Sequence, residues 1–123
     1  MEKVFNKVIL VDDDDVSNYL TSKIITNLDI AEDLVIHKNG MQALEFFKEH
    51  SDGDLQKVKK PDLVILDINM AIVNGFELLE ALSLTNYLDN TKVVILSSSQ
   101  DPNDRDIAAQ YRINGYLTKP LEA

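Results

Sequence analysis

Acidic side chains gather at two places where they could do chemistry together. Asp12, Asp13, Asp14 and Asp15 end the apolar run Val8-Ile9-Leu10-Val11, and Asp67 ends the run Leu63-Val64-Ile65-Leu66. Ser97 follows Val93-Val94-Ile95-Leu96, and Lys119 follows Gly115-Tyr116-Leu117-Thr118. Carboxylates brought together in a partly buried cleft repel by about 4 kcal/mol per pair at ~4 Å and an effective dielectric near 20, so something positive must sit among them. A few hard oxygen ligands completed by waters suit Mg2+ or Mn2+ and leave room for a phosphate oxygen. Lys119 adds an ammonium and Ser97 a hydroxyl donor. Metal, ammonium and hydroxyl together could hold three phosphoryl oxygens, which favours phosphoryl transfer to a carboxylate nucleophile.

That grouping depends on the elements beneath it. The four apolar runs read as strands, and short, nearly continuous apolar strands are those buried on both faces. A weaker strand covers Leu34 to Ile36. After the first strand the period changes: Val16, Tyr19, Leu20, Ile24 and Leu28 recur as one helical stripe, with Asp14 or Asp15 placed as N-cap. Asn39-Gly40 breaks the chain before Met41, Leu44 and Phe47, which share a helical face. Gly75 leads into a helix with Phe76, Leu79 and Leu82 on one side, and Asp101-Pro102-Asn103-Asp104 starts another carrying Ile107, Ala108 and Tyr111. Residues 51–60 form a polar connection without a period. Alternating strands and helices predict an α/β fold, a parallel sheet covered by helices on both faces. Ligands in such sheets bind outside the carboxyl ends of the strands, where Asp12, Asp13, Asp67, Ser97 and Lys119 all fall.

Composition excludes several other classes. The chain has 123 residues, 45% of them hydrophobic and 27% charged, as expected for a soluble domain spanning residues 1–123. With no cysteine, a disulfide scaffold, a thiolate zinc site and a cysteine nucleophile are ruled out. A formal charge of −9 argues against direct nucleic-acid binding, which relies on clustered Lys and Arg. The longest apolar runs fall far short of the ~20 residues needed to cross a bilayer. No secretory pattern opens the chain, so a cytoplasmic location and no membrane partner are expected.

Each feature alone has a plainer reading. The aspartate run could be a solvated helix cap, Asp67 a turn residue, Ser97 to Ser99 loop chemistry and Lys119-Pro120 a strand stop. The plain readings explain poorly why all stand at the same end of successive strands. His37 and His50 have no partner ligand at metal spacing and are expected at the surface; Tyr19, Phe46, Phe47 and Phe76 are expected in the core or on helix surfaces, and the Lys57, Lys59, Lys60 cluster in a solvated loop.

Taken in order, Val8 to Asp14, Pro61 to Met70, Asn74 to Leu79, Val94 to Ser98 and Gly115 to Pro120 resemble the receiver domain of two-component response regulators across essentially the whole chain. The resemblance implies a doubly wound, flavodoxin-like sheet of five strands in the order 2-1-3-4-5. It also implies that Asp67 is the phosphoacceptor, taking its phosphoryl group from a phosphohistidine on a sensor histidine kinase or histidine phosphotransfer protein. Asp13 and Asp67 would ligate Mg2+ directly, Asp12 through water and Asn69 through its backbone carbonyl. Ser97 and Lys119 would bind phosphoryl oxygens, Ser97 and Tyr116 would form the conformational switch, and Asn69 and Ser99 would tune hydrolysis of the acyl phosphate. Such a domain is a phosphoacceptor with possible autodephosphorylation rather than an enzyme, acting on a protein effector as a monomer or weak dimer.

Three departures from that pattern stand out. Ala71 replaces the usual proline after the methionine, the 51–60 connection is long, and the sequence stops at Ala123, where a fifth helix is expected to be missing and apolar surface uncovered. Two other functions compete. Asp12-x-Asp14-x-Val16 fits the nucleophile motif of haloacid-dehalogenase-like phosphohydrolases, with Asp12 as nucleophile, but leaves Asp67 unexplained and expects a further acidic motif beyond Lys119. A degenerate receiver serving only as an interaction module would bind no phosphate. An EF-hand-like loop from Asp12 fails because Ser17 and Lys23 stand where glycine and glutamate are needed.

Overall fold

The computed structural model describes residues 5–51, 62–68, 70, 74–83, 91–98, 101–111 and 113–119, without the side chains of residues 47–51. Strand β1 (Phe5–Val11) leads into α1 (Asp15–Leu28), and β2 (Ala31–His37) into α2 (Gly40–Ser51). Then come β3 (Leu63–Leu66), α3 (Gly75–Ser83), β4 (Lys92–Ser97), α4 (Pro102–Ala108) and β5 (Gly115–Thr118). All strand pairs are parallel, in the order β2-β1-β3-β4-β5. This is the predicted doubly wound sheet. Four helices occur among the described residues. The segment from Pro120, where the fifth helix is in question, lies outside them, as do Ala71 and the loop 52–61.

Period-two alternation divides the strands between two cores. Ile9, Val11, Val64, Leu66, Val93 and Ile95 pack with Ala43 of α2, Leu78, Leu79 and Leu82 of α3 and Ala108 of α4. Val8, Leu10, Leu63, Ile65 and Leu96 face the other way, against Ile25 of α1. Each helix starts where its capping chemistry predicts. The Asp14 carboxylate accepts from the Val16 amide at 3.1 Å, and the Asn39 side-chain oxygen accepts from the Gln42 amide at 2.7 Å. Asn74 and Glu77 form a reciprocal box of 3.0 and 3.3 Å, and Asp101 caps α4 just before Pro102.

Three sequence expectations are corrected. The apolar stripe of α1 does not face the sheet: Val16 is 66% exposed, Tyr19 60%, and Leu20 and Leu28 are also exposed. Asn18, Thr21 and Ile25 form the buried side instead. The helix is turned by a polar anchor, since the Asn18 side-chain amide donates to the Asp12 carbonyl at 2.8 Å, and Ile25 then meets the sheet. His37, expected at the surface, is buried, because its place opposite Val11 in the β1–β2 register turns it to the α2 side. Its ring lies 5.2 Å from that of Phe46. Burial lowers its pKa, a trend the Gln42 side chain opposes and the Lys7 charge reinforces. The helix over Met41, Leu44 and Phe47 buries Ala43 more deeply than Leu44, with Met41 exposed. Tyr111 stands beyond the end of α4.

Candidate phosphoryl-acceptor site

Backbone hydrogen bonds continue one residue beyond the strands and bring their ends to one edge. The Asp12 amide donates to the His37 carbonyl at 3.2 Å, the Asp67 amide to the Val11 carbonyl at 2.9 Å, and the Lys119 amide to the Ser97 carbonyl at 2.9 Å. Parallel register therefore brings four strand ends that are far apart in sequence, at Asp12, Asp67, Ser97 and Lys119, to one edge. Asp12, Asp67 and Ser97 are buried, Asp13 is exposed, and the Lys119 side chain retains only 16% of its accessible surface. Asn69 and Ser99 lie outside the described residues.

Lys119 Nζ lies 2.8 Å from Asp12 Oδ2 and 3.4 Å from Asp67 Oδ2, bridging the ends of the first and third strands. Burial works against its charge, but the hydrogen bond to Asp12 and the negative charges of Asp67 and Asp12 outweigh it and hold Lys119 above the ordinary lysine value. The ammonium stays charged throughout the physiological range. Asp12 is held further: its Oδ1 accepts from the Asp14 amide at 3.0 Å and its Oδ2 from the Ser17 hydroxyl at 2.8 Å. Nothing in the sequence pattern singles out Ser17 or Asn18. The usable signal is spacing, since a helix capped at Asp14 turns its first residues back over Asp12.

Gly75 is a second position whose role emerges only in three dimensions. A Cβ there would sit 2.6 Å from both the Asp67 carbonyl oxygen and the Ile68 Cα, and the Gly75 amide donates to the Ile68 carbonyl at 3.2 Å. Glycine lets α3 start against the backbone that carries Asp67. Toward β5, Tyr116 is half-buried, its hydroxyl is buried without a hydrogen-bond partner among the described residues, and the Arg105 guanidinium lies 4.9 Å from its ring centroid.

Asp12, Asp13 and Asp67 each offer a carboxylate oxygen, and these oxygens all lie within 4.8 Å of one another. Hard donors converging at that spacing fit a small divalent cation. The neighbouring ammonium and buried serine make the same edge suitable for an anionic group with several oxygens.

The family model described as the response regulator receiver domain matches residues 8–123. The chain belongs to that family. This receiver domain is 27% identical over 112 residues to the response regulator Rcp1 of Synechocystis sp., covering 91% of this chain and 75% of that protein. It superposes on a two component response regulator from Cytophaga hutchinsonii with a TM-score of 0.85 and 31% identity, covering 99% of this chain and 90% of that one. The Mn2+-bound form of Rcp1 matches with a TM-score of 0.80 at 26% identity, covering 95% of this chain and 83% of that one. That family is a different one from the haloacid-dehalogenase-like phosphohydrolases. Among the described residues, no helix of this receiver domain is long and apolar enough to cross a membrane.

Proposed function

We propose that residues 1–123 form one receiver domain in which Asp67 accepts a phosphoryl group from a phosphohistidine on a sensor histidine kinase or histidine phosphotransfer protein. The observation that carries this reading is the Lys119 bridge, 2.8 Å to Asp12 and 3.4 Å to Asp67, which sets a partly buried cation beside the acceptor before any phosphate arrives. In the transfer, an Asp67 oxygen bonds to phosphorus as the phosphorus–nitrogen bond breaks, and the histidine nitrogen keeps that electron pair. With the phosphohistidine ring protonated at its other nitrogen before transfer, the products are an aspartyl phosphate and a neutral imidazole.

Lys119 then turns toward one phosphoryl oxygen and the Ser97 hydroxyl toward another. Asp13 and Asp67 would hold Mg2+ or Mn2+ directly, Asp12 through water and Asn69 by its carbonyl, and the bound ion would neutralise the phosphoryl oxygens; the three converging carboxylates and the Mn2+-bound relative support this. Asn69 and Ser99 would tune hydrolysis of the acyl phosphate. Movement of Ser97 drawing Tyr116 inward would carry the signal to a protein effector. Exposed Val16, Tyr19 and Leu20, on the helix that starts beside Asp13, give the phosphodonor protein an apolar place to dock. The domain acts in the cytoplasm as a monomer or weak dimer, not as a free-standing enzyme.

Intact-protein mass spectrometry after incubation with Mg2+ and acetyl phosphate tests this. The expected result is a gain of one phosphoryl group in the wild type, lost in Asp67→Asn and in metal-free protein. A folded wild type that gains none would overturn the phosphoacceptor reading and favour an interaction module.

A further inference from the structure

Asp12 carries more hydrogen bonds than a residue acting through water requires. Its Oδ1 accepts from the Asp14 amide at 3.0 Å; its Oδ2 accepts from both the Ser17 hydroxyl and Lys119 Nζ at 2.8 Å. A carboxylate has about four lone-pair directions, so these contacts occupy both on Oδ2 and leave one on Oδ1. The carboxylate cannot turn without breaking a contact, and that remaining direction is what it can offer a cation's hydration shell. Its backbone is fixed as well, since Asn18 holds the Asp12 carbonyl at 2.8 Å.

The two donors on Oδ2 differ in what they can do. Lys119 has a second partner, Asp67 Oδ2 at 3.4 Å, and a flexible stem. Ser17 sits in the first turn of α1 on a short side chain and has nowhere to go. When a phosphoryl group on Asp67 draws the ammonium away, the buried Asp12 loses its direct ion pair and keeps only the cation's hydration shell, a costly change unless another donor remains on Oδ2.

We propose that Ser17 is a positioning residue for this site: its hydroxyl fixes the orientation in which Asp12 meets the metal's hydration shell and stays on Oδ2 when Lys119 leaves it. The inference rests on the reading of Asp12, Asp13 and Asp67 as a metal site and deepens it. Outer partners that orient the groups around a metal commonly change its affinity by about 10-fold or more when removed.

The experiment compares wild type, Ser17→Ala and Ser17→Thr by Mn2+ titration monitored through water-proton relaxation, by thermal midpoint without metal, and by phosphorylation rate with acetyl phosphate at saturating Mg2+. Ser17→Ala is expected to bind Mn2+ about 10-fold more weakly. Ser17→Thr, which keeps the hydroxyl, should bind within about twofold of wild type and melt near its temperature, whereas Ser17→Ala should melt somewhat lower yet stay folded at the temperature of the titration. Equal Mn2+ affinity in all three would overturn the role of Ser17. So would equal weakening in Ala and Thr, which would point to packing alone. The phosphoacceptor reading fails separately: a wild type that binds Mn2+ more tightly than Ser17→Ala yet takes no phosphoryl group would sink Asp67 as acceptor and leave Ser17 standing.

Discussion

The polar groups at the β1 and β5 ends of the sheet are held in opposite ways. At the β1 end, Asp12 has partners on both carboxylate oxygens and on its carbonyl, from Ser17, Asp14, Lys119 and Asn18. At the β5 end, the Tyr116 hydroxyl is buried without a partner among the described residues, and its ring rests against Arg105. A satisfied buried network has one arrangement, whereas an unsatisfied buried group is paid nothing for staying where it is. The first end offers three carboxylate oxygens within 4.8 Å of one another on a held backbone, which suits an ion at fixed spacing. The second can be moved by a small bias, as a population shift requires.

Breaking the rigid end should have the largest effect. Lys119→Met leaves the buried Asp12 and Asp67 carboxylates facing each other without their shared cation, and should lower the stability of metal-free protein by about 3 kcal/mol in urea denaturation. Added Mg2+ should recover part of the loss; a variant as stable as wild type without metal would show that the bridge is not structural. Gly75→Ala comes next. Its methyl would meet the Asp67 and Ile68 backbone at 2.6 Å, so a cost of about 2 kcal/mol is expected, with slower phosphorylation as Asp67 shifts. Unchanged stability and rate would mean that α3 retreats freely.

The flexible end predicts the opposite sign. Tyr116→Phe removes a hydroxyl that has no partner among the described residues, so stability should be unchanged or rise by up to about 1 kcal/mol, and a clear loss would show that the hydroxyl is partnered in solution. The smallest effect concerns His37, whose pKa is lowered by burial. The unfolded chain takes up its proton more readily than the folded chain, so this contribution is intact above the ordinary value of 6.5 and falls as pH drops below it. Between pH 7 and pH 5 the wild type should therefore lose more thermal stability than His37→Phe. Parallel melting curves would contradict that.

The same contrast explains what the sequence revealed. Asp12, Asp67, Ser97 and Lys119 were legible because a parallel sheet sends every strand's carboxyl end to one edge, and the apolar runs locate those ends without any knowledge of packing. The orientation of α1 was not legible. Its most apolar stripe, through Val16 and Leu20, lost the sheet to a face chosen by Asn18 bonding to Asp12, an interaction between positions whose periodicity carries no signal. His37 was misread because a lone histidine at a strand end has no pattern, and only the register opposite Val11 settles its side. Gly75 looks like an ordinary helix-start glycine until the Asp67 backbone is placed against it.

The central claim is that Asp67, not Asp12, forms the bond to phosphorus. After incubation with acetyl phosphate and Mg2+, borohydride reduction converts an aspartyl phosphate to homoserine, and peptide mass spectrometry locates it. The account predicts homoserine at position 67 and unmodified aspartate at 12 and 13. Homoserine at position 12, with Asp67 intact, would contradict it.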